Sequence, residues 1–535
     1  MLNWEKYFPH NTPRTKQQEA IEFACDAFSK KKKRFVIIEA GTGVGKSAIG
    51  LTVARYLEDS MPLAEGYDAG TYFLTTQKIL QEQYVHDFKT MKSIKSSSNY
   101  QCKFTKQNTC AESLRAIRTA DKDSRFYISC TFNCVYKKAK DEFLKAKESV
   151  TNFSYFLAET TYAGKLIPRN TLVIDEAHNI SNELSKFIEV TITERFAKQA
   201  LKLQMPVLKT QVEAIKWIQK TYVPKLRRHV KHIEDMLEKY VALKDKLQEF
   251  TTIAKQFDLL DKHTCKLHRF LELYDKNNWA CNLVPSIDKS GKKIEFKPID
   301  VAPYAEDMLL KSGRHVIMMS ATILDHKAFC MMLGIDIEEV EFISLSSPFP
   351  VENRPILFCG IGSMASQTIE ETLPKLAKAV QEILDNHPKQ KGIIHCHTFR
   401  IAKYLKTSLR TNRFLLHNSQ NREEMLEKHK RSKSPSVLLS PSMTEGIDLK
   451  DECSRFQIIC KIPYPYLGDK LIRKRMNKWK WWYPLQTTKT IVQATGRSVR
   501  SKSDYAVTYI LDSDWERFFG KNKDMFPEGF RDCLE

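Results

Sequence analysis

The sequence predicts an α/β fold: two parallel-sheet domains, the first interrupted by a small cysteine-rich domain and by an all-helical insert. Three observations lead there. Apolar runs at residues 35–38, 71–74, 171–174 and 315–319 alternate with helical patterns, as strands covered on both faces do. A second series at residues 392–395, 437–439, 456–460 and 505–511 repeats the alternation beyond Ser346-Ser347-Pro348-Phe349-Pro350, a linker by composition. Within the first series, residues 93–134 and 179–300 lose the strand rhythm altogether.

Taken in order, Arg14-Thr15-Lys16-Gln17 leads into a helical pattern at residues 18–28. The Gln17 amide, just upstream of a phosphate-binding loop, is placed to read an adenine edge; a helix-surface glutamine is the alternative. The run at 35–38 continues into Glu39-Ala40-Gly41-Thr42-Gly43-Val44-Gly45-Lys46-Ser47 and a helix at 48–57. Strand, glycine-rich turn, Lys-Ser and helix make the context of a P-loop. Gly41, Gly43 and Gly45 let backbone N–H groups curl round phosphate oxygens, with Thr42 and Val44 between them. The helix N-terminus adds partial positive charge. Lys46 reaches the β- and γ-phosphates, and the Ser47 hydroxyl holds Mg²⁺. Ala40 stands where the motif has its first glycine. Thr75-Thr76-Gln77 closes the strand at 71–74 and precedes a helix at 79–88. Hydroxyl and amide groups there suit contact with a nucleic-acid backbone, and a helix N-cap at Thr75 or Thr76 is a compatible second use.

Residues 93–134 hold Cys102, Cys110, Cys130 and Cys134 at C-x7-C-x19-C-x3-C spacing. So short a stretch, poor in apolar periodicity, cannot readily fold on its own burial. Four thiolates round a metal would supply the stabilisation. Zinc and a [4Fe–4S] cluster both accept four cysteines, the absence of paired C-x2-C knuckles argues against a zinc ribbon, and four unrelated thiols are the third option.

A helix at 136–147 then leads to Thr171-Leu172-Val173-Ile174-Asp175-Glu176-Ala177-His178. A strand ending in two carboxylates is the second half of a nucleotide-hydrolysing site. Asp175 binds Mg²⁺ through its water shell, Glu176 polarises the attacking water, and His178 couples the site to a neighbouring domain. The insert that follows places Leu226, Val230, Ile233, Leu237 and Tyr240 at alternating steps of four and three, a helix–helix seam. The strand at 315–319 ends in Ser320-Ala321-Thr322. The second domain has no P-loop but carries Thr444-Glu445-Gly446-Ile447-Asp448 and Gln493-Ala494-Thr495-Gly496-Arg497-Ser498-Val499-Arg500. Arg497 and Arg500, three apart on one helix face, suit a γ-phosphate whose charge shifts during transfer; a basic face for nucleic acid is the alternative. Lys470, Arg473, Lys474, Arg475 and Lys478 with Trp479, Trp481 and Trp482 suit phosphate contact and base stacking, or else core and interface packing.

The chain has 535 residues and a formal net charge of +21, a basic excess that points to a polyanionic partner, nucleic acid first. No apolar run is long enough to span a bilayer. Met1-Leu2-Asn3-Trp4-Glu5-Lys6 lacks the apolar core of a signal peptide. The expected compartment is a reducing cytoplasm, in which the 13 cysteines are no disulfide framework.

The segments 40–47, 175–178, 320–322, 445–448 and 493–500 stand in the order and spacing of a superfamily 2 helicase. With four cysteines ahead of Asp175-Glu176-Ala177-His178 and a helical insert behind it, the chain resembles the XPD/DinG family of iron–sulfur helicases. Ser98-Asn99-Tyr100-Gln101-Cys102, Cys134-Val135-Tyr136, Ser347-Pro348-Phe349 and Ile462-Pro463-Tyr464-Pro465 resemble its DinG-like members. The resemblance implies two RecA-like domains with ATP between them. The first comprises residues 1–98, 139–178 and 306–346 and the second residues 347–535, with a [4Fe–4S] domain at 99–138 and an arch at 179–305. It implies Gln17 and Gln493 as ATP-binding residues and Cys102, Cys110, Cys130 and Cys134 as cluster ligands. Coupling falls to His178, Ser320, Ala321, Thr322, Glu445, Gly446 and Asp448, and DNA contact to Thr75, Thr76, Gln77 and Thr444. The implied activity is 5′–3′ translocation on single-stranded DNA by a monomer, with unwinding of forked duplexes and RNA–DNA hybrids as a further substrate. The implied setting is a bacterial cytoplasm, or that of a bacterial host for a phage- or plasmid-encoded chain. An ATP-gated nucleic-acid clamp without processive unwinding, or a zinc-stabilised RNA remodeller, would use the same motifs.

Overall fold

The computed structural model describes residues 3–535 except 42, 105–107, 118–119, 242–246, 286–290, 419–420, 442–448, 450, 497, 500 and 502. Its strands in chain order are β1 (Phe35–Ala40), β2 (Asp68–Thr75), β3 (Lys92–Ser93), β4 (Glu148–Asn152), β5 (Arg169–Asp175), β6 (Val190–Thr193), β7 (Trp279–Val284) and β8 (Lys293–Pro298). There follow β9 (Gly313–Ser320), β10 (Val340–Leu345), β11 (Ile356–Gly362), β12 (Gly392–His395), β13 (Phe414–Leu416), β14 (Val437–Ser440), β15 (Phe456–Ile459) and β16 (Val507–Asp512).

Seven strands form one parallel sheet in the order β10-β1-β9-β5-β2-β4-β3. All of β1 and β5 is buried. The alternation of side chains splits the core in two. Phe35, Ile37, Leu172, Ile174, Val316 and Met318 pack on one face, and Val36, Ile38, Val173, Ile317 and Met319 on the other. The register sets Glu39 beside Ser320, and Asp175 beside Met319. The loops after β1, β5 and β9 therefore leave one edge of the sheet side by side, although their motifs are far apart in sequence. A second, six-stranded parallel sheet follows the order β11-β16-β15-β12-β14-β13. These are the two parallel sheets that the sequence predicts.

The insert between β5 and β9 is mostly helical but not all-helical. It contains the antiparallel sheet β6-β8-β7 beside the packed helices Val223–Val241 and Leu247–Leu273. Ile192, Phe296 and Trp279 in these short strands are buried, and they hid from a periodicity search that was dominated by the long helices. Nor does the insert pack only on itself: Trp279, Phe270 and Phe296 belong to the same continuous core as Ile174 and Met318. Across the cysteine-rich segment, Arg115 pairs with Asp258, and its guanidinium lies 4.6 Å over the Phe257 ring.

The basic, tryptophan-rich stretch is an interface. Its helix Lys470–Lys478 docks on the insert, where Arg475 is 6% exposed and donates to the Ile299 carbonyl at 2.8 Å and the Pro298 carbonyl at 3.1 Å. Lys474 donates to the Trp279 carbonyl at 3.0 Å, and Lys478 pairs with Asp300 at 2.5 Å. Trp479 and Trp482 are buried. Burial brings the Arg475 guanidinium down to about 10, still charged at neutral pH. Arg475→Met should therefore lower the unfolding free energy by about 2–3 kcal/mol by stripping a charged donor from two buried carbonyls. Guanidinium titration followed by tryptophan fluorescence checks this, and an unmoved midpoint would leave the contact without energetic weight.

Candidate nucleotide and nucleic-acid site

Gly45 caps the helix Lys46–Ser60 at φ +87°, and Gly43 sits at φ +84°. Both are left-handed conformations that side chains resist. A Cβ on Gly45 would strike the Gln17 amide, and one on Gly43 would strike the Phe349 ring. The loop carbonyls are held from outside. Arg14 donates to the Gly43 carbonyl, and Gln17 Nε2 donates to the Gly45 carbonyl at 3.3 Å while Gln17 Oε1 accepts the Arg14 N–H at 2.9 Å. Gln17 is thus spent on the loop backbone rather than left pointing at a base. Lys46 Nζ folds back to the Ala40 carbonyl at 3.1 Å. Val44 is buried and Gly41 half-buried; Thr42 lies outside the described residues.

Asp175 ends β5, 8% exposed, with Oδ1 accepting the Glu176 N–H at 2.9 Å and Oδ2 accepting the Tyr84 hydroxyl at 3.1 Å. Glu176 adopts φ +53°, an uncommon conformation for a side chain with a Cβ and one that clusters at functional sites. Ser47 and Asp175 offer the hard oxygen donors that Mg²⁺ requires. Burial pushes the Asp175 carboxyl up to about 6, with the Glu176 charge adding and Lys46 opposing.

His178 ties this half-site to the second sheet. Its Nδ1 lies 2.7 Å from Ser320 Oγ and 3.2 Å from Glu176 Oε2, and its Nε2 lies 3.0 Å from Gln493 Nε2. The same Gln493 amide donates to Thr322 Oγ1 at 3.1 Å, and Lys489 donates to the His178 carbonyl at 2.9 Å. A neutral imidazole that accepts from Gln493 carries its proton on Nδ1, facing Ser320 and Glu176. His178, Ser320 and Thr322 are brought together; Ala321 lies between the latter two, half-buried. Gln493 joins them. Arg497, Arg500, Thr444, Glu445, Gly446 and Asp448 lie outside the described residues.

Neither Thr75 nor Thr76 caps the helix Lys78–Asp87; Gln77 occupies that position. Thr75 is fully buried with its hydroxyl on the Gln77 carbonyl at 3.1 Å, whereas Thr76 is half-buried and Gln77 exposed. A cavity of about 560 Å³ opens between the insert and the carboxyl ends of β12, β14 and β15, lined among others by Lys186, Lys297, His395, Ser440, Lys461 and Arg475. The four cysteines are all buried, with Cys110 Sγ and Cys134 Sγ 4.0 Å apart. Burial, with repulsion from neighbouring thiols, pushes Cys110 up to about 12 and Cys130 to about 11. Four thiols suit an iron–sulfur cluster or zinc in donor chemistry, but among the described residues no three candidate ligands converge as a finished metal cage.

Residues 381–533 match the helicase C-terminal domain family, and residues 10–206 match the type III restriction enzyme res subunit family. The ATP-dependent DNA helicase YoaA of Escherichia coli K12 is 21% identical over 606 aligned positions, which cover 95% of this chain and 92% of that one. The ATP-dependent DNA helicase DinG of Photobacterium profundum is 24% identical over 239 positions, covering 41% of this chain and 34% of its own. A solved XPD helicase superposes with a TM-score of 0.65 at 15% identity, over 96% of this chain and 99% of that chain. Over most of its length the chain is similar to ATP-dependent DNA helicases of the YoaA and DinG kind, and it shares the fold of XPD.

Three contacts in this XPD/DinG-like chain escaped the sequence reading. Phe349, assigned to a linker, is 8% exposed and packs on Gly43, Val499 and Ala506. Glu39, counted as part of a strand, accepts the Leu324 N–H at 2.5 Å and the Ser344 hydroxyl at 3.0 Å. Tyr84 reads as one more apolar position of a helix. No local signal marks any of them; each depends on a partner remote in sequence.

The Asp175 carboxyl rises from an ordinary value of 3.8 to about 6, so it favours the folded state at pH below its unfolded value and loses that contribution as pH rises through about 6. Cation binding needs the opposite, ionised form. Mg²⁺-dependent nucleotide affinity should therefore fall as pH drops below about 6 while Mg²⁺-free affinity holds, as calorimetric titration across pH 5–8 would record.

Proposed function

We infer that the chain is an ATP-dependent DNA helicase. The observation that carries this is the hydrogen-bonded bridge from His178, two residues past Glu176 at the end of β5, to Gln493 on the second sheet's domain. It gives the nucleotide half-site a physical connection to a second domain that can move against the first. Lys46 meets the β- and γ-phosphates, and Glu176 orients the attacking water. Arg497 and Arg500 reach the γ-phosphate from the second domain, so closing the cleft completes the site. Mg²⁺, when bound between Ser47 and Asp175, supplies charge neutralisation at the phosphates. Loss of the γ-phosphate loosens the contact between domains, and alternating grip on the strand advances it.

The finer parts of the proposal are the 5′–3′ direction, single-stranded and forked DNA as substrate with RNA–DNA hybrids as a further class, and the domain boundaries given above. The half-buried Thr76 and the exposed Gln77 are the contacts on the first domain, and the cavity between the insert and β12, β14 and β15 continues the path. Its cations meet phosphates without reading bases. Cys102, Cys110, Cys130 and Cys134 would hold a [4Fe–4S] cluster, which would cross-link the segment into a rigid wedge; zinc would leave the protein colourless where iron would make it brown.

Lys46→Ala should abolish ATP hydrolysis with single-stranded DNA affinity retained, and full hydrolysis in that variant would sink the assignment. Cys110→Ser should lose iron by elemental analysis and lose unwinding before nucleotide binding. The deciding experiment is strand displacement by anaerobically purified protein on duplexes with a 5′ or a 3′ tail. Displacement from the 5′ tail alone is expected. Displacement from the 3′ tail alone would overturn the direction, and DNA-stimulated hydrolysis with neither displaced would favour the clamp.

A further inference from the structure

Tyr84 takes no part in the hydrolysis scheme. It sits on the helix Lys78–Asp87, 3% exposed, with its ring 5.8 Å from that of Phe73 and 6.0 Å from that of Phe88. An apolar side chain would fill this slot at no cost in hydrogen bonding. A phenol in it must find a partner, and Tyr84 finds an oxygen assigned to the cation, Asp175 Oδ2 at 3.1 Å.

A phenol has one proton and two acceptor positions. The proton goes to Asp175, which can only accept while ionised. Asp175 Oδ1 is already committed to the Glu176 N–H at 2.9 Å. Gripped at both oxygens, the carboxylate loses the freedom of its terminal torsion, which is otherwise broad. Partners of metal ligands act in this way, and removing one costs roughly 10–100-fold in metal affinity.

We propose that Tyr84 is a positioning residue for the Mg²⁺ site, ordering the Asp175 carboxylate through the bond from Tyr84 Oη–H to Asp175 Oδ2. The proposal rests on the nucleotide-site reading above. It also places that hydroxyl on the helix that begins directly after Gln77, so the Asp175 carboxylate is tied to the element that carries the exposed end of the Thr75–Gln77 segment.

The test uses the full chain and Tyr84→Phe, which keeps the ring and removes only the hydroxyl. A fluorescent ADP analogue is titrated without Mg²⁺ and then across a Mg²⁺ series. The expected result is a Mg²⁺ half-saturation raised about tenfold or more, with Mg²⁺-free ADP affinity within about twofold of the wild type. Unchanged Mg²⁺ half-saturation would overturn the proposal. So would an equal loss of Mg²⁺-free and Mg²⁺-bound affinity, which is the mark of a packing role. If Tyr84→Phe melts far below the wild type, Tyr84→Leu takes its place under the same criteria. A wild type whose ADP binding ignores Mg²⁺ would remove the site itself, and this proposal with it, whereas failure of the variant alone leaves the nucleotide site standing.

Discussion

The parallel pairing of β1, β9 and β5 is the constraint on which the rest depends. Buried backbone must be hydrogen-bonded, and a strand covered on both faces has only its neighbours to bond with. Once β9 is locked between β1 and β5, the loops after Ala40, Ser320 and Asp175 emerge in a row at one edge. The P-loop, the paired carboxylates and the Ser-Ala-Thr turn become neighbours with no further instruction. The site lies where ligands of open parallel sheets lie, outside the carboxyl ends of the strands.

Around that edge, side chains from other segments hold the loops in shape. Arg14 and Gln17 grip loop carbonyls from one side, and Phe349 lies on Gly43 from the other. Glu39 holds the turn after β9 by its Leu324 N–H, at the cost of a carboxyl that burial pushes upward. Two glycines at positive φ and the left-handed Glu176 show how tightly the backbone is bent there. Such conformations persist only where surrounding contacts over-determine them, and here the contacts are visible. Phe349 also touches Val499 and Ala506, so the chain between the two sheets is packed against the P-loop rather than slack.

The insert and the second sheet's domain are joined by polar contacts that a sequence reader assigns elsewhere. A run of lysines, arginines and tryptophans has the composition of a nucleic-acid surface, yet Lys474, Arg475 and Lys478 spend their donors on the carbonyls and carboxylate of residues 279–300. Lys186 and Lys297 of the insert and Lys461 of the second domain instead line the cavity between the two, although no motif connects these lysines.

The sequence by itself determined the strand–helix alternation, the glycine-rich loop, the acidic strand end and the helicase resemblance, because each is written in residues close together or in a fixed order. The periods of strand and helix and the need for glycine at Gly43 and Gly45 are local physics. It also singled out His178, Ser320 and Thr322, though not the contact that joins them. Tertiary structure alone decided that Gln493 serves this bridge, that Arg475 is structural, that the insert holds a sheet and shares the first domain's core, and that Tyr84 meets Asp175. Each of these turns on which distant partner a side chain meets once the strands are ordered. A side chain's composition is the same whether it faces a phosphate or a buried carbonyl; only packing distinguishes them.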